Sequence, residues 1–335
     1  MKDKLNLLKL GVKNVEFPIY MKHIESKDGY LTTYNKRNLV RVPHILPFDG
    51  LVNFFTFDSV VGKIDYPNFV VKDDILIISS GSFKVEMPIV SSDEFIETES
   101  VLKKVESVET ITITEELFTI INRSLDIIDG RVDVLFEHIY IDNNSIIATS
   151  GSKLLYYTSN LNVKEPFGID RNIVKFLSVG CELGAIGGNS VVKHDNSLII
   201  SSSYNMDTFP VDKIIEGISN FHSVSDKKYV CNSETLKQMV QNVRSISIGE
   251  EIFYVNIKAE GGNLTVSCVS ATNGKAEDVY DEVGDDVEFD VVFKGTQLYN
   301  IPDGFHLYFI DESRFYFVDT VFKCIIIVMA EQKGE

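Results

Sequence analysis

Apolar residues in this chain fall mostly in short β-branched and aromatic runs, with a few longer stretches at helical spacing. Runs at 132–141, 154–158, 253–258 and 287–293 read as strands. Leu117, Phe118, Ile121, Leu125 and Ile128 form an i, i+3/i+4 stripe that predicts a helix over 115–128, with Thr114 as its N-cap. Leu236, Val240 and Val243 predict a second helix over 233–246. Shorter helical patterns fit 57–64, 170–179 and 293–299. The two long helices each open a third of the chain, and the short ones sit midway in each third. The segment 5–10 is a short counterpart at the start of the first third.

The strands repeat. Asp74-Ile-Leu-Ile-Ile-Ser-Ser-Gly81 is answered by Asn196-Ser-Leu-Ile-Ile-Ser-Ser-Ser203, and more loosely by Glu312-Ser-Arg-Phe-Tyr-Phe-Val-Asp319. Leu76 and Leu198 are 122 positions apart. That is far longer than a solenoid period of roughly 20–50 residues, so the repeat is read as whole domains. A second series runs inside the first: Tyr30 to Tyr34, Ile146 to Ser150 and Leu264 to Cys268. Each follows a turn rich in Gly, Asn or Asp. Every third thus holds two strand-rich halves. Polar, charged stretches at 97–110 and 216–228 are expected to be linkers. The expected fold is α+β, with three similar domains over 1–104, 105–220 and 221–335. Each is a doubled helix-plus-strands unit.

Composition narrows the function. At 335 residues and 44% hydrophobic the chain can fill two or three cores. Lys+Arg is 32 against Asp+Glu 49, a net charge of −17, which argues against a nonspecific nucleic-acid coat. It leaves open an acidic exterior around a locally basic surface. The four cysteines, Cys181, Cys231, Cys268 and Cys324, lack zinc-ligand spacing and read as buried free thiols in a reducing compartment. No apolar segment follows the opening Met-Lys-Asp-Lys. The longest apolar run, 324–330, is too short to span a bilayer. The cytoplasm is the expected compartment, with no membrane partner.

Catalytic patterns are missing from the sequence. Asn273-Gly274-Lys275 lacks the upstream glycine of a phosphate loop, and no Gly-x-Ser-x-Gly elbow occurs. The six histidines are scattered. Asp73-Asp74 and Asp285-Asp286 could be imagined as magnesium carboxylates, but they sit where turns favour Asp. No metal, no cofactor and no enzymatic activity are expected.

Several segments carry a family resemblance. Asn144-Ser-Ile-Ile-Ala-Thr-Ser-Gly-Ser-Lys-Leu154 resembles the L-x-x-V-A-T-D-G-H-R-L stretch of bacterial DNA polymerase sliding clamps, the polymerase III β subunits. Asp195 to Ser203 with Phe209-Pro210 resembles their L-x-I-S-S … G-x-F-P-D-Y stretch. The strand pair from Ser79 to Pro88 resembles its first-domain counterpart, and Ile325 to Ala330 the C-terminal V-x-M-P-M strand. The likeness spans nearly the whole chain. Departures are Ser150, Ser152 and Lys153 for Asp, His and Arg; Val211 and Asp212 for Asp-Tyr; and Ala330 for Pro. A divergent, phage-encoded version would fit.

The resemblance implies a head-to-tail homodimer, a ring of six domains that encircles duplex DNA. Helices would line the hole, and the ring would tether a polymerase and a clamp loader through short peptide motifs. Basic residues on the expected lining helices are Lys63, Arg123, Arg171, Lys175, Lys237, Arg244 and Lys294; each could equally be an ordinary solvated charge. Carried over by motif, the partner-peptide pocket would take in Thr149, Gly151, Lys153, Leu154, Pro210, Val328 and Met329. Leu154, Val328 and Met329 are equally good core residues. A rival of another class is a non-catalytic phage structural protein built of duplicated β-domains. It would need no helix per half-domain.

Overall fold

The computed structural model describes residues 1–335 apart from 17, 129–136, 203–205, 251, 320, 322 and 332–335. The expected strand at 132–141 therefore lies partly outside the described residues. The first third runs α1 (Lys2–Leu8), β1 (His23–Lys27), β2 (Tyr30–Tyr34), β3 (Asn38–Pro43), β4 (Gly50–Asn53), α2 (Phe54–Val61), β5 (Asn68–Lys72), β6 (Ile75–Ser80), β7 (Phe83–Pro88) and α3 (Ile96–Val105). The second runs β8 (Thr110–Thr112), α4 (Glu115–Leu125), β9 (His138–Ile141), β10 (Ser145–Thr149), β11 (Lys153–Thr158), β12 (Phe167–Asp170), α5 (Arg171–Val174), β13 (Glu182–Ile186), β14 (Asn189–His194), β15 (Ser197–Ser202) and α6 (Val211–Ser223). The third runs β16 (Lys228–Asn232), α7 (Ser233–Arg244), β17 (Tyr254–Glu260), β18 (Asn263–Ser270), β19 (Gly274–Tyr280), β20 (Phe289–Lys294), α8 (Gly295–Tyr299), β21 (His306–Asp311), β22 (Arg314–Asp319) and β23 (Cys324–Met329).

Helix starts follow from capping. Asn53 accepts from Thr56 N at 3.1 Å, Asp170 from Asn172 N at 2.8 Å, and Asn232 from Thr235 N at 2.9 Å. Thr114 caps α4 as its position predicts, accepting from Leu117 N at 3.2 Å. The predicted helix at 170–179 shrinks to the single turn of α5.

The chain forms two compact units, residues 1–118 with 161–206 and residues 119–160 with 207–335. The sheet of the first unit has the order β4-β1-β2-β3-β15-β14-β13-β8. Its central joint is an antiparallel ladder between β3 and β15, with Arg41 opposite Leu198 and Leu39 opposite Ile200. In the second unit β9-β10-β11 continue into β23-β22-β21-β16. Here β11 meets β23 with Lys153 opposite Val328 and Tyr156 opposite Ile325. So in each unit the third strand of one meander pairs with the third strand of another. Two smaller sheets remain: β5-β6-β7 in the first unit and β19-β18-β17-β20 in the second.

Pleating sorts the helices onto faces. Leu39 clusters with Val105, Val191 and Ile200, and Val101 and Leu102 of α3 pack against them. Helix α3 therefore covers the β3/β15 joint. Thr33, opposite Val40 on the alternate face, donates to Leu8 O at 2.8 Å, so α1 lies on the other side. In the second unit Phe221 of α6 stacks on Tyr316 at 4.6 Å. Asp319, three residues on and hence on the other face, binds Arg123 of α4 at 2.6 Å. Both joints thus carry a connecting helix on one face and a domain helix on the other.

Two expectations are corrected here. The stretches 97–110 and 216–228 are largely helical, as α3 and α6. Their apolar residues, Val101, Leu102 and Val105 in one and Ile214, Ile218 and Phe221 in the other, recur at i, i+3/i+4 beneath a charged surface. That stripe is narrow enough to read as polar overall. The first repeat is misaligned in its second copy. Strands β6 and β22 are the middle strands of their meanders, whereas Asn196 to Ser203 covers β15, a third strand. The shared string reports turn chemistry instead. Asp73, Asp74, Asp195 and Asn196 all have positive φ, at 50°, 59°, 47° and 61°, in two-residue hairpins. The other repeat holds: β2, β10 and β18 are all second strands.

Candidate nucleic-acid interface and partner site

The seven basic residues singled out by the sequence meet different fates. Arg123 is mostly buried, its guanidinium 2.6 Å from Asp319 and over the Phe305 ring at 5.2 Å. It fastens α4 to β22, which corrects its assignment as a DNA-facing charge. Lys237 pairs with Asp303, and Lys294 with Glu331 at 3.2 Å, so a neighbouring carboxylate offsets each. Arg171, Lys175, Lys63 and Arg244 are exposed and form no ion pair among the described residues. The Arg244 guanidinium lies over the Tyr299 ring at 5.0 Å and the Phe253 ring at 5.6 Å, a cation–π contact at the surface. Lys63 lines a shallow cavity of about 500 Å³ with Phe83, the first residue of β7.

Within the first unit the structure adds two cations that the sequence pattern did not single out. Lys9 at the end of α1 and Arg37 in the β2–β3 turn share a cavity of about 610 Å³ with Lys175 and Asn172. Asp170 sits at its floor, 3% exposed, capping α5 and binding Arg37 at 2.6 Å. Lys9 reaches Asp58 at 3.1 Å. The available signal was the run Asn35-Lys36-Arg37-Asn38, two adjacent basic residues in a tight turn between strands. A phosphate placed there would meet three cations against Asp170 and Asp58.

Thr149, Gly151, Lys153, Leu154, Val328 and Met329 lie together where β10, β11 and β23 meet, and Pro210 belongs to the same second unit. Thr149 and Leu154 are cross-strand neighbours, and Leu154 also faces Ile327. The turn between β10 and β11 is closed by Thr149 Oγ1 donating to Lys153 O at 2.9 Å and Ser150 N donating to Lys153 O at 3.0 Å. Met329 N donates to Ser152 O at 2.9 Å, which fixes the end of β23 beside that turn. Phe209 stacks on Tyr140 at 4.9 Å and so anchors Pro210, the N-cap of α6.

Two of these residues cannot present themselves as a pocket wall in this state. Val328 is 0% exposed and is core. Lys153 is buried too, its amine turned onto the end of α4 and donating to Asp126 O at 2.9 Å. Gly151 and Pro210 are exposed, Leu154 is half-buried and Met329 is 37% exposed. Partial desolvation pushes the carboxyl of Asp126, an otherwise exposed residue, above its ordinary range, against the pull of the Lys153 and Lys237 ammonium groups.

No group of three or more His, Cys, Asp or Glu suited to a metal ion occurs among the described residues. No helix among them is long and apolar enough to cross a membrane. No protein-family model and no curated protein matches the chain. Solved structures do. A putative DNA polymerase III beta subunit from Eubacterium rectale superposes over 99% of this chain and 97% of its own, at 13% identity and TM-score 0.78. The DNA polymerase sliding clamp of Caulobacter crescentus gives 14% identity, the same coverage and TM-score 0.78. The Helicobacter pylori beta clamp bound to a DNA ligase peptide gives 15%, the same coverage and 0.75. Along essentially its whole length, this chain has the fold of the bacterial DNA polymerase sliding clamps.

Proposed function

We propose that this protein is a sliding clamp. Two copies close head to tail around duplex DNA and tether a polymerase, a clamp loader and other partners through short peptides. One observation carries the reading. Two joints within the chain each pair the third strand of one meander with the third strand of another, β3 with β15 and β11 with β23. The same rule leaves one strand of each kind over, β19 and β7. Both are edge strands with no second ladder partner among the described residues. An unpaired edge invites another chain. Each edge would find its complement on a second copy, and a two-fold dimer would satisfy both at once.

The three domains are read as 1–104, 105–220 and 221–335, six in the ring. Lys63, Arg171, Lys175 and Arg244 would supply phosphate attraction without base contacts, which permits sliding, with Lys9 and Arg37 adding less because Asp58 and Asp170 offset them. The net −17 elsewhere would keep DNA off the outside. A tethered polymerase rebinds intramolecularly, so the ring needs no chemistry of its own. The ligase peptide on the Helicobacter clamp supports a peptide-docking role, here near Leu154, Pro210 and Met329. The cytoplasm is the proposed site. A helix in every half-domain favours this reading over a duplicated structural protein.

The test combines native mass with retention on DNA. The protein should run as a dimer and stay on nicked circular DNA after loading, and should leave once the circle is linearised. A monomer at tens of micromolar that leaves circles and linear DNA alike would end the proposal.

A further inference from the structure

The internal joints also set the register of the open one. Asn53 and Lys294 are N-caps of α2 and α8, and their cross-strand partners are His23 and Tyr254. Counting from these anchors, Ser26 faces Leu31 and Leu31 faces Val42. In the third copy Ile257 faces Val266 and Val266 faces Asp278. Val42 therefore corresponds to Asp278, and Arg41 to Glu277. On the other side, Leu51 bridges Val90 and Val292 bridges Glu331, each two residues before its cap. Val90 thus corresponds to Glu331, and Lys84 to Ile325. Strands β1 and β9 both begin His-Ile, so His23 corresponds to His138 and, by the same count, Arg41 to Tyr156. Ile325 faces Tyr156 in the second joint. By correspondence, Lys84 faces Glu277.

We propose that the β7–β19 ladder between two copies takes the register Lys84 opposite Glu277 and Glu86 opposite Lys275, and that these four charges select it. This rests on the clamp reading above. The charges agree with the backbone count. Lys84, Glu86, Lys275 and Glu277 are all exposed on the outer face of their strands, with side chains 55%, 54%, 57% and 45% accessible. Both cross-pairs join opposite signs. A slip of two residues keeps the faces matched but sets Glu86 against Glu277 one way, or Lys84 against Lys275 the other. Like charges directly opposite are destabilising. A slip of one residue turns buried Met87 to the wrong face. Each pair also exists now within its own strand, Lys84 with Glu86 at 2.5 Å and Lys275 with Glu277. Closing the joint exchanges local pairs for cross-strand ones at little net gain. The quartet therefore selects register and partner more than it adds affinity.

Cysteine pairs in the full chain test this. The four native cysteines are buried and give little background. The double variant K84C/E277C should form covalent dimers under mild oxidation. K84C/V279C and K84C/K275C should not, since diagonal neighbours stand roughly 7–8 Å apart, beyond disulfide reach. A charge swap gives a second readout. K84E/E86K should weaken dimerisation on the order of tenfold or more, and adding K275E/E277K should restore it. Preferential crosslinking of either shifted pair overturns the register. So does tighter association when the four charges are neutralised, which would make them guards against edge pairing. A dimer that crosslinks through none of these pairs overturns the proposal and leaves the ring standing. A protein that never dimerises and never stays on circular DNA sinks both.

Discussion

Arg123 on α4 and Asp319 on β22 are 196 positions apart in the chain and 2.6 Å apart in the fold. Asp319 is 4% exposed at its side chain and Arg123 18%. A charge that helical patterning places on a lining surface instead holds that helix to its sheet. Arg123→Met should cost about 2–4 kcal/mol, because it strips the guanidinium from a nearly buried carboxylate. Urea unfolding at neutral pH would measure it. Arg123→Met combined with Asp319→Leu should recover much of the loss. If the single variant is as stable as the parent, the pair is not what secures α4.

The cations without acid partners among the described residues should carry the attraction to DNA. Replacing Arg171, Lys175 and Arg244 together by Gln should flatten the salt dependence of DNA binding. The slope should fall by up to about 0.9 for each phosphate no longer neutralised, about 2–3 in all. Lys237→Gln and Lys294→Gln should do less, because Asp303 and Glu331 already offset those charges. Titrations from low to moderate salt would separate the sets. A triple variant with the parent's slope would remove these residues from the interface.

What the sequence made legible was periodic and local. The amphipathic stripe of α4, its Thr114 cap, and the second-strand repeat of β2, β10 and β18 all depend on neighbours within one turn or hairpin. The joints were not legible. Whether β15 pairs with β3 depends on two segments more than 150 residues apart meeting in one register, and no local pattern encodes that. The misaligned β15 copy has the same origin: Asp195-Asn196 and Asp73-Asp74 make the same turn, and the turn resembles itself wherever it lies in a meander. Among the site residues, exposure was the hidden variable. Arg123 and Arg244 look alike in sequence, and only the presence of Asp319 sets them apart.

Asp126 directly follows α4; the residue is exposed, yet partial desolvation of its carboxyl raises its pKa above the ordinary carboxylate value. A folded pKa above the unfolded one means that the folded state keeps its proton longer. The stability this contributes is full below the ordinary Asp value and is lost as pH rises through the folded value. Asp126→Asn should therefore be more stable than the parent at neutral pH, with the gap closing as pH falls through the carboxylate range. Paired denaturation curves across that range would show it. A gap that widens on acidification would mean that the Lys153 and Lys237 ammonium groups outweigh burial.

The partner site is the sharpest remaining question, and Leu154 is the residue to ask. It is half-buried next to the β10–β11 turn with exposed Gly151, and close to partly exposed Met329 at the end of β23, where a peptide with Gln, Leu and Phe anchors could lay its apolar side chains. Val328 and Lys153 sit underneath and fix the floor, so they are poor probes. Leu154→Asp puts a carboxylate where an apolar anchor would have to bury it, at a penalty of several kcal/mol unless it is paired. Affinity for a polymerase-derived peptide should fall by at least a hundredfold in a fluorescence-polarisation titration, while the dimer and its hold on circular DNA persist. Circular dichroism and unchanged DNA retention would separate loss of the site from loss of the fold. Leu154→Met, which keeps the volume and the apolar surface, should bind nearly as the parent does. If a folded Leu154→Asp protein binds the peptide undiminished, partners dock elsewhere. Ser152 and Lys153, which stand where the sliding-clamp pattern has His and Arg, would then mark a relocated site.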